Sequence, residues 1–547
     1  MKRKKMLAIG LSVCISAAML AGCGGTTPDS TEESAAEATT ESAAETEKSE
    51  NAVVGMVEGT VRIGTQYEWT NKNPYAEISG GADRNLRIIY EPVFDRERET
   101  GNLIPVLGKS YKEVDPYTME VELYDYIHDS QGNPLTADDV VFSYEEMIAE
   151  GNYWTGYLID SCTKVDDYTF QLKLRTARAG ALETVLSKTP IVTKAAFESL
   201  DMSAEPVGTG HYVLDNYVSG SSWGYEVNND YWQTEELTSP FSKANISNIE
   251  YKLYTETAQS SIALETGEID VIEDVTSSEF YLFEEGGMDA ETASLYEYAS
   301  HFVTFLNYNC DPSDVFADQT LRQAVSTAID QQSLLDAAYD GHGGICKTLA
   351  ASSCVDFNDA WNNDDYYDYN LEKAKELLGE AGYGEGELTV RLLVDNYEQR
   401  IRMAQIIQAN LADIGVTVEI LTYDTALYNT YKYTTDQYDM YIETLNCDDY
   451  ITTIWDSALN NTKYSDGGTI SHYKDDKLQE YVVSAGSKET RTDELIDEAR
   501  QYLYEVVPSY GLIYTSVSHV AVNSINDLTV NMSCYLQPGA FEYSSDF

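Results

Sequence analysis

The chain has 547 residues, 43% of them hydrophobic and 23% charged, and its formal charge is −57. That charge argues against nucleic acid as a partner, because phosphate recognition needs clustered Lys and Arg, and against adhesion to anionic lipid by charge alone. Roughly 490 residues follow the N-terminal tract, too many for one ordinary core, so two or three lobes are expected.

Lys2, Arg3, Lys4 and Lys5 precede an apolar run from Met6 to Leu20. The run is shorter than the ~20 residues of a spanning helix, so it reads as a secretory signal over residues 1–22. Leu20-Ala21-Gly22-Cys23 is similar to the lipobox of bacterial lipoproteins. That likeness implies diacylglyceryl attachment to the Cys23 sulfur and cleavage before it. Several acyl chains together give a stable hold on the membrane where one does not. Residues 23–58 carry Ser, Thr, Ala and Glu with few large apolar side chains. Such a tract cannot bury enough surface to offset ordering entropy, and it reads as a disordered leash.

Past the leash, Gly59 to Gly64 reads as a first strand, followed by a loop over residues 69–84 and a helical start at Asn85. TMEVEL (residues 118–123) and TFQLKL (169–174) alternate with period two, the mark of half-buried strands. Between them Thr136 caps a helix whose first turn holds Asp138 and Asp139, where the helix dipole favours them. Leu321 to Ala338 reads as one amphipathic helix. Asn370 caps a helix over residues 371–381 that stops at Gly382. Strand 387–394, helix 400–414 and strand 416–421 then form a parallel β-α-β unit with right-handed crossover. The C-terminal part is therefore α/β, and the earlier part is closer to α+β.

Six cysteines follow Cys23, and no C-x-x-C occurs among them. A zinc ribbon or thioredoxin-type motif is not indicated. Disulfides persist outside the membrane, and Cys346 with Cys354 is the candidate pair. The six histidines are scattered, with no i, i+4 pair and no H-E-x-x-H, so no metal site is expected. Gly220-Ser221-Ser222-Trp223-Gly224 matches G-x-S-x-G, but a nucleophile elbow needs a helix after it. Here another strand follows, and the motif reads as a hairpin tip.

Several blocks in order carry a family resemblance: IIYEPVF (88–94), GNPLTADDVVFSYEEM (132–147), PVGTGHYVL (206–214), IALETGEIDVI (262–272), LRQAVSTAID (321–330) and YNLEKAKELLGEAGY (369–383). Together they resemble the extracytoplasmic solute-binding proteins of bacterial ABC importers, in the oligopeptide- and dipeptide-binding family 5. The resemblance implies an α/β fold of the type II periplasmic-binding-protein kind. Lobe I is discontinuous over residues 59–104, 207–300 and 520–547. Lobe II is an insert over 105–206, and lobe III covers 301–519. Ligand sits between lobes I and III, which close on it by a hinge motion.

The implied role is capture of a peptide or small solute for an ABC permease. The protein would be a monomer, lipid-anchored on the outer face of a bacterial cytoplasmic membrane, with no catalysis and no cofactor. By the same resemblance Asp448 takes the ligand's ammonium group, Tyr423 lines the cleft, and Ser79-Gly80-Gly81 pairs with a peptide backbone. At Asp448 the chain departs from the family, which has Gly-Trp before this Asp and Pro after; here Thr444-Leu445 precede it and no Pro follows. A non-peptide solute is the alternative ligand, and a tethered serine hydrolase acting through Ser222 is the alternative of another class.

Overall fold

A computed structural model describes residues 55–76, 80–287, 289–434, 436–447, 450–464, 467–544 and 547. The signal, Cys23, nearly all of the leash, Ser79 and Asp448 lie outside the described residues. The fold is mixed α/β.

The architecture is organised by one large sheet. Ten of its strands run in the order Val416–Tyr423, Leu388–Asp395, Met440–Asn446, Ala293–Tyr308, Ser509–Val522, Val271–Ile272, Val57–Thr65, Ile246–Leu253, Ser222–Val227 and Tyr212–Val218. A second, four-stranded antiparallel sheet is made of Gly108–Asp115, Thr118–Leu123, Thr169–Leu174 and Ile159–Asp166. The two strands read by their alternation pair with each other in its centre, Val121 opposite Phe170.

The C-terminal end of the large sheet is covered on both faces. Leu392, Val394, Met440, Ile442, Leu306 and Tyr308 enter one core, while Leu393, Tyr441, Val303 and Phe305 enter another. Alternate side chains of a strand point to opposite faces, so one sheet feeds both cores. That explains the nearly continuous apolar run in LTVRLLVD, the signature of a strand buried on each side. Leu388–Asp395 and Val416–Tyr423 are parallel, joined by helix Glu398–Ala412, as the sequence predicts. A separate core gathers residues from Val61 to Tyr251 with Ala521 to Phe541.

Two expectations are corrected. The single helix expected over 321–338 is two, Gln319–Ala328 and Gln331–Tyr339. Asp330 breaks it: its side chain accepts from the Ser333 N–H and caps the second helix. The expected Cys346–Cys354 bridge is not formed. Both residues are buried in the same core, and the Cys346 thiol donates instead to the carbonyls of Thr348 and Ala350.

The G-x-S-x-G segment is a hairpin. Gly220 takes φ +71° at the tip between antiparallel strands Tyr212–Val218 and Ser222–Val227. Ser222 opens a strand, pairs with Lys252, and has no helix after it.

Candidate functional site

Strands Ala293–Tyr308 and Ser509–Val522 pair antiparallel along most of their length, and both run from one core into the other. Their ladder is interrupted midway. Ala299 faces Ser516, but Val303 faces Tyr514, so residues 300–302 stand opposite Thr515 alone. A bulge of this kind bends the strand and re-aims side chains. It is fastened on each side. The Ser300 hydroxyl donates to the Thr515 carbonyl at 2.8 Å, Ser353 donates to the Ser300 carbonyl at 2.7 Å, and the Cys447 N–H donates to the His301 carbonyl at 2.8 Å.

A cavity of about 340 Å³ opens at this bulge. Ser300, His301 and Phe302 line it, with Asn446 from the neighbouring strand. Leu86 and Arg87 enter from helix Gly80–Ile89, Asp95 and Arg96 from strand Phe94–Arg96, and Trp154 and Lys188 from the region of the small sheet. The loop 531–535 completes the wall. Its volume falls at the small end of ligand pockets, which run from about 300 to 1,000 Å³.

The lining charges are held in place. Arg87 pairs with Asp95 at 2.9 Å, and Asp95 also accepts from the Ser239 hydroxyl. Arg96 donates to the Gly101 carbonyl at 3.1 Å and to the Thr184 hydroxyl at 3.3 Å. Arg98 stands behind the bulge, donating to the Ala299 carbonyl at 2.7 Å and to Cys534 Sγ at 2.9 Å. It ties the crossing strand to the loop that closes the cavity.

Beneath lies a layer of buried charge. Arg84 is sandwiched between the Tyr67 ring (3.8 Å) and the Tyr535 ring (4.4 Å) and pairs with Glu273 and Asp274. Burial pushes the Glu273 carboxyl up, against the pull of Arg84. His519, on the crossing strand, accepts from the Asp274 N–H at Nδ1 and donates from Nε2 to the Cys534 carbonyl at 2.9 Å. Burial lowers its pKa, so the ring is neutral with the proton on Nε2. Glu91 follows the helix that carries Arg87. Burial raises its carboxyl to about 7, although Tyr231 and Trp232 donate to it. His211 stacks on Tyr231 at 3.7 Å, and burial lowers it to about 4.

Among the described residues, none of the sequence-predicted ligand-binding residues lines this cavity. Gly80 and Gly81 open the helix whose later turns line the cavity. Tyr423 ends strand Val416–Tyr423, edge-on to Tyr431 at 4.9 Å, and is not among the lining residues. Sequence reasoning missed Arg87, Arg96, Lys188, Trp154 and the bulge at 300–302. They come from four distant segments and share no local motif. Among the described residues, no cluster of His, Cys, Asp or Glu is arranged to hold a metal ion.

Comparisons with known proteins agree on the kind of molecule. The chain is 23% identical to di/tripeptide-binding protein 1 of Pseudomonas aeruginosa over 485 residues, covering 81% of this chain and 87% of that one. It is 27% identical to the dipeptide-binding protein of Escherichia coli over 393 residues, 65% of this chain and 70% of that one. Its fold matches the crystal structure of a putative peptide binding protein, AppA, from Clostridium difficile with a TM-score of 0.76 at 20% identity. That match covers 89% of this chain and 100% of the other. Residues 102–468 match the middle region of one family, about two thirds of the chain, and on that match the chain belongs to the bacterial extracellular solute-binding proteins, family 5.

Proposed function

We propose that the protein captures short peptides outside the membrane and presents them to an ABC permease, and that it performs no chemistry on them. The observation that supports this most is the cavity at the strand crossing. It is enclosed by segments from both sides of the crossing, so a ligand there would contact both at once. In this reading residues 59–104, 207–300 and 520–547 form lobe I, 105–206 lobe II and 301–519 lobe III. Ligand stabilises the closed arrangement by binding it better than the open one. Asp448 takes the ligand's ammonium group, an assignment that rests on its sequence position. Backbone-directed hydrogen bonds give affinity across sequences, and water fills variable side-chain space.

The lipobox-like Cys23 and the leash after it belong to the same proposal. A lipid on Cys23 keeps the binding body near its permease at high effective concentration. Among the described residues no helix is long and apolar enough to cross a membrane.

The test is mass spectrometry of ligand released from the purified protein, with thermal-shift measurements on di- and tripeptide pools. Free ligand at 100 times its Kd should add about 2.7 kcal/mol of stability. Co-purification of intact peptides with a matching thermal shift supports the reading. Recovery of a non-peptide solute, or cleavage of added peptide that disappears in Ser222→Ala, overturns it.

A further inference from the structure

The fold keeps its tryptophans and phenylalanines out of water, with two exceptions. Of the six tryptophans, Trp69, Trp223, Trp232, Trp361 and Trp455 are at most 6% exposed, while Trp154 is 40% exposed. Among the described phenylalanines Phe302 alone is exposed, at 43%. Both exceptions line the cavity at the strand crossing. A large apolar side chain left in water is the informative departure from ordinary burial. Here two of them, from segments far apart in the chain, meet at one concave site.

Phe302 belongs to the bulge. Its N–H donates to the Ser300 hydroxyl at 3.2 Å, and it faces Asn446 across the ladder. Val303 and Phe305, further along the same strand, are fully buried. The strand thus supplies its core with other residues and leaves Phe302 to the cavity. Trp154 opens the short 3₁₀ helix Trp154–Leu158. The two residues before it do the anchoring: Asn152 Nδ2 donates to the Tyr75 carbonyl at 3.0 Å, and the Tyr153 hydroxyl to the Pro74 carbonyl at 2.7 Å. The Lys188 ammonium stands 6.0 Å from the centroid of the indole. The backbone at both positions is fixed by neighbouring groups, so the fold places each ring without burying it.

We propose that Trp154 and Phe302 are specificity residues that select ligands carrying an apolar side chain. A ligand side chain laid against either ring takes apolar surface out of water on both partners, and an aromatic one gains further from ring-to-ring contact. A charged side chain in the same place loses hydration against the rings. This rests on the peptide reading above and narrows it to a class of side chain.

The test uses two dipeptide series, Ala-X and X-Ala, with X being Ala, Leu, Phe, Asp or Lys. Affinities are measured by calorimetry on wild type, Trp154→Ala, Phe302→Ala, Trp154→Phe and Phe302→Leu, with melting curves to check that each is folded. In wild type the Leu or Phe member of at least one series should bind about tenfold tighter than its Ala member. Each alanine variant should cut that ratio to about threefold or less while the Ala member itself stays within about threefold, and the two conservative variants should keep most of the ratio. Tryptophan emission gives an independent reading, since the other five indoles are already buried. It should move to the blue when the Leu or Phe member binds wild type, and should not move in Trp154→Phe. A wild-type ratio near one, tightest binding of the Asp member (the choice that Arg96 and Lys188 would favour), or a ratio unchanged in both alanine variants overturns the proposal. So does an equal loss for every X, the mark of a merely structural role. Those outcomes leave the peptide reading standing. A wild type that binds no dipeptide of either series and no longer peptide pool overturns the peptide reading and this proposal together.

Discussion

The two sides of the cavity are joined at the strand crossing and again at the seam between residues 177–180 and 486–488, and the two joints are built differently. The crossing is a long ladder of paired backbone, fastened by Ser300, Arg98 and the neutral His519. The seam has two backbone hydrogen bonds and a fringe of charge. In that fringe Lys488 reaches Glu113 at 2.9 Å and Glu183 at 3.4 Å, and Arg178 reaches Asp456 at 3.5 Å. Buried, fully paired groups are costly to separate, whereas part-exposed ion pairs are worth about 0–1 kcal/mol. The crossing is thus suited to persist through a hinge motion and the seam to part and reform.

Perturbing the crossing should have the largest effect. His519→Leu strands the Asp274 N–H and the Cys534 carbonyl, both inside the fold, and Asp274 is already held at φ +56°. Each orphaned group costs about 1–3 kcal/mol, so a loss of about 2–6 kcal/mol is expected in denaturant unfolding. A loss under 1 kcal/mol would mean that the bedding of the crossing strand is not fixed by this residue.

Two buried groups away from the seam also titrate. Glu91 sits at about 7 in the fold against an ordinary 4.5. A raised carboxyl favours the folded state while protonated, so its contribution is complete below pH 4.5 and is lost as pH rises through 7. His211, lowered to about 4, works in the opposite direction: its contribution is present above 6.5 and is lost as pH falls. The two slopes oppose each other between about pH 4.5 and 6.5. Glu91→Gln separates them. Wild-type stability minus that of the variant should fall by about 3 kcal/mol from pH 4.5 to 7. A flat difference would show that Glu91 is not held protonated.

The seam should give the smallest change in stability. Lys488→Ala should stay within about 1 kcal/mol of wild type. It should instead speed ligand release by about threefold at low salt, an effect that fades as salt screens the wild-type pairs. A large stability loss with unchanged release would make the seam part of the permanent frame.

Legibility in the sequence followed how local each signal was. TMEVEL and TFQLKL match their strands residue for residue, because alternation along six residues reports one buried face. The hairpin at Gly220 was readable from a glycine turn between two strand patterns. The break at Asp330 was missed because apolar spacing continues across it. The visible signal was an Asp three residues before Ser333, a cap that competes with an uninterrupted helix. Cys346 and Cys354 are near in sequence, but bridging depends on the relative placement of their Cβ atoms, which spacing does not encode.

The sequence by itself determined most of the element types, the mixed α/β class and the family resemblance, since these rest on periodicity, caps and ordered motifs along the chain. The tertiary structure alone decided the bulge at residues 300–302, the gathering of Arg87, Arg96, Trp154 and Lys188 around one cavity, and the exposure of Phe302 there. Those depend on register between strands some 200 residues apart and on which side chains meet across a closed space, and no local pattern carries that information.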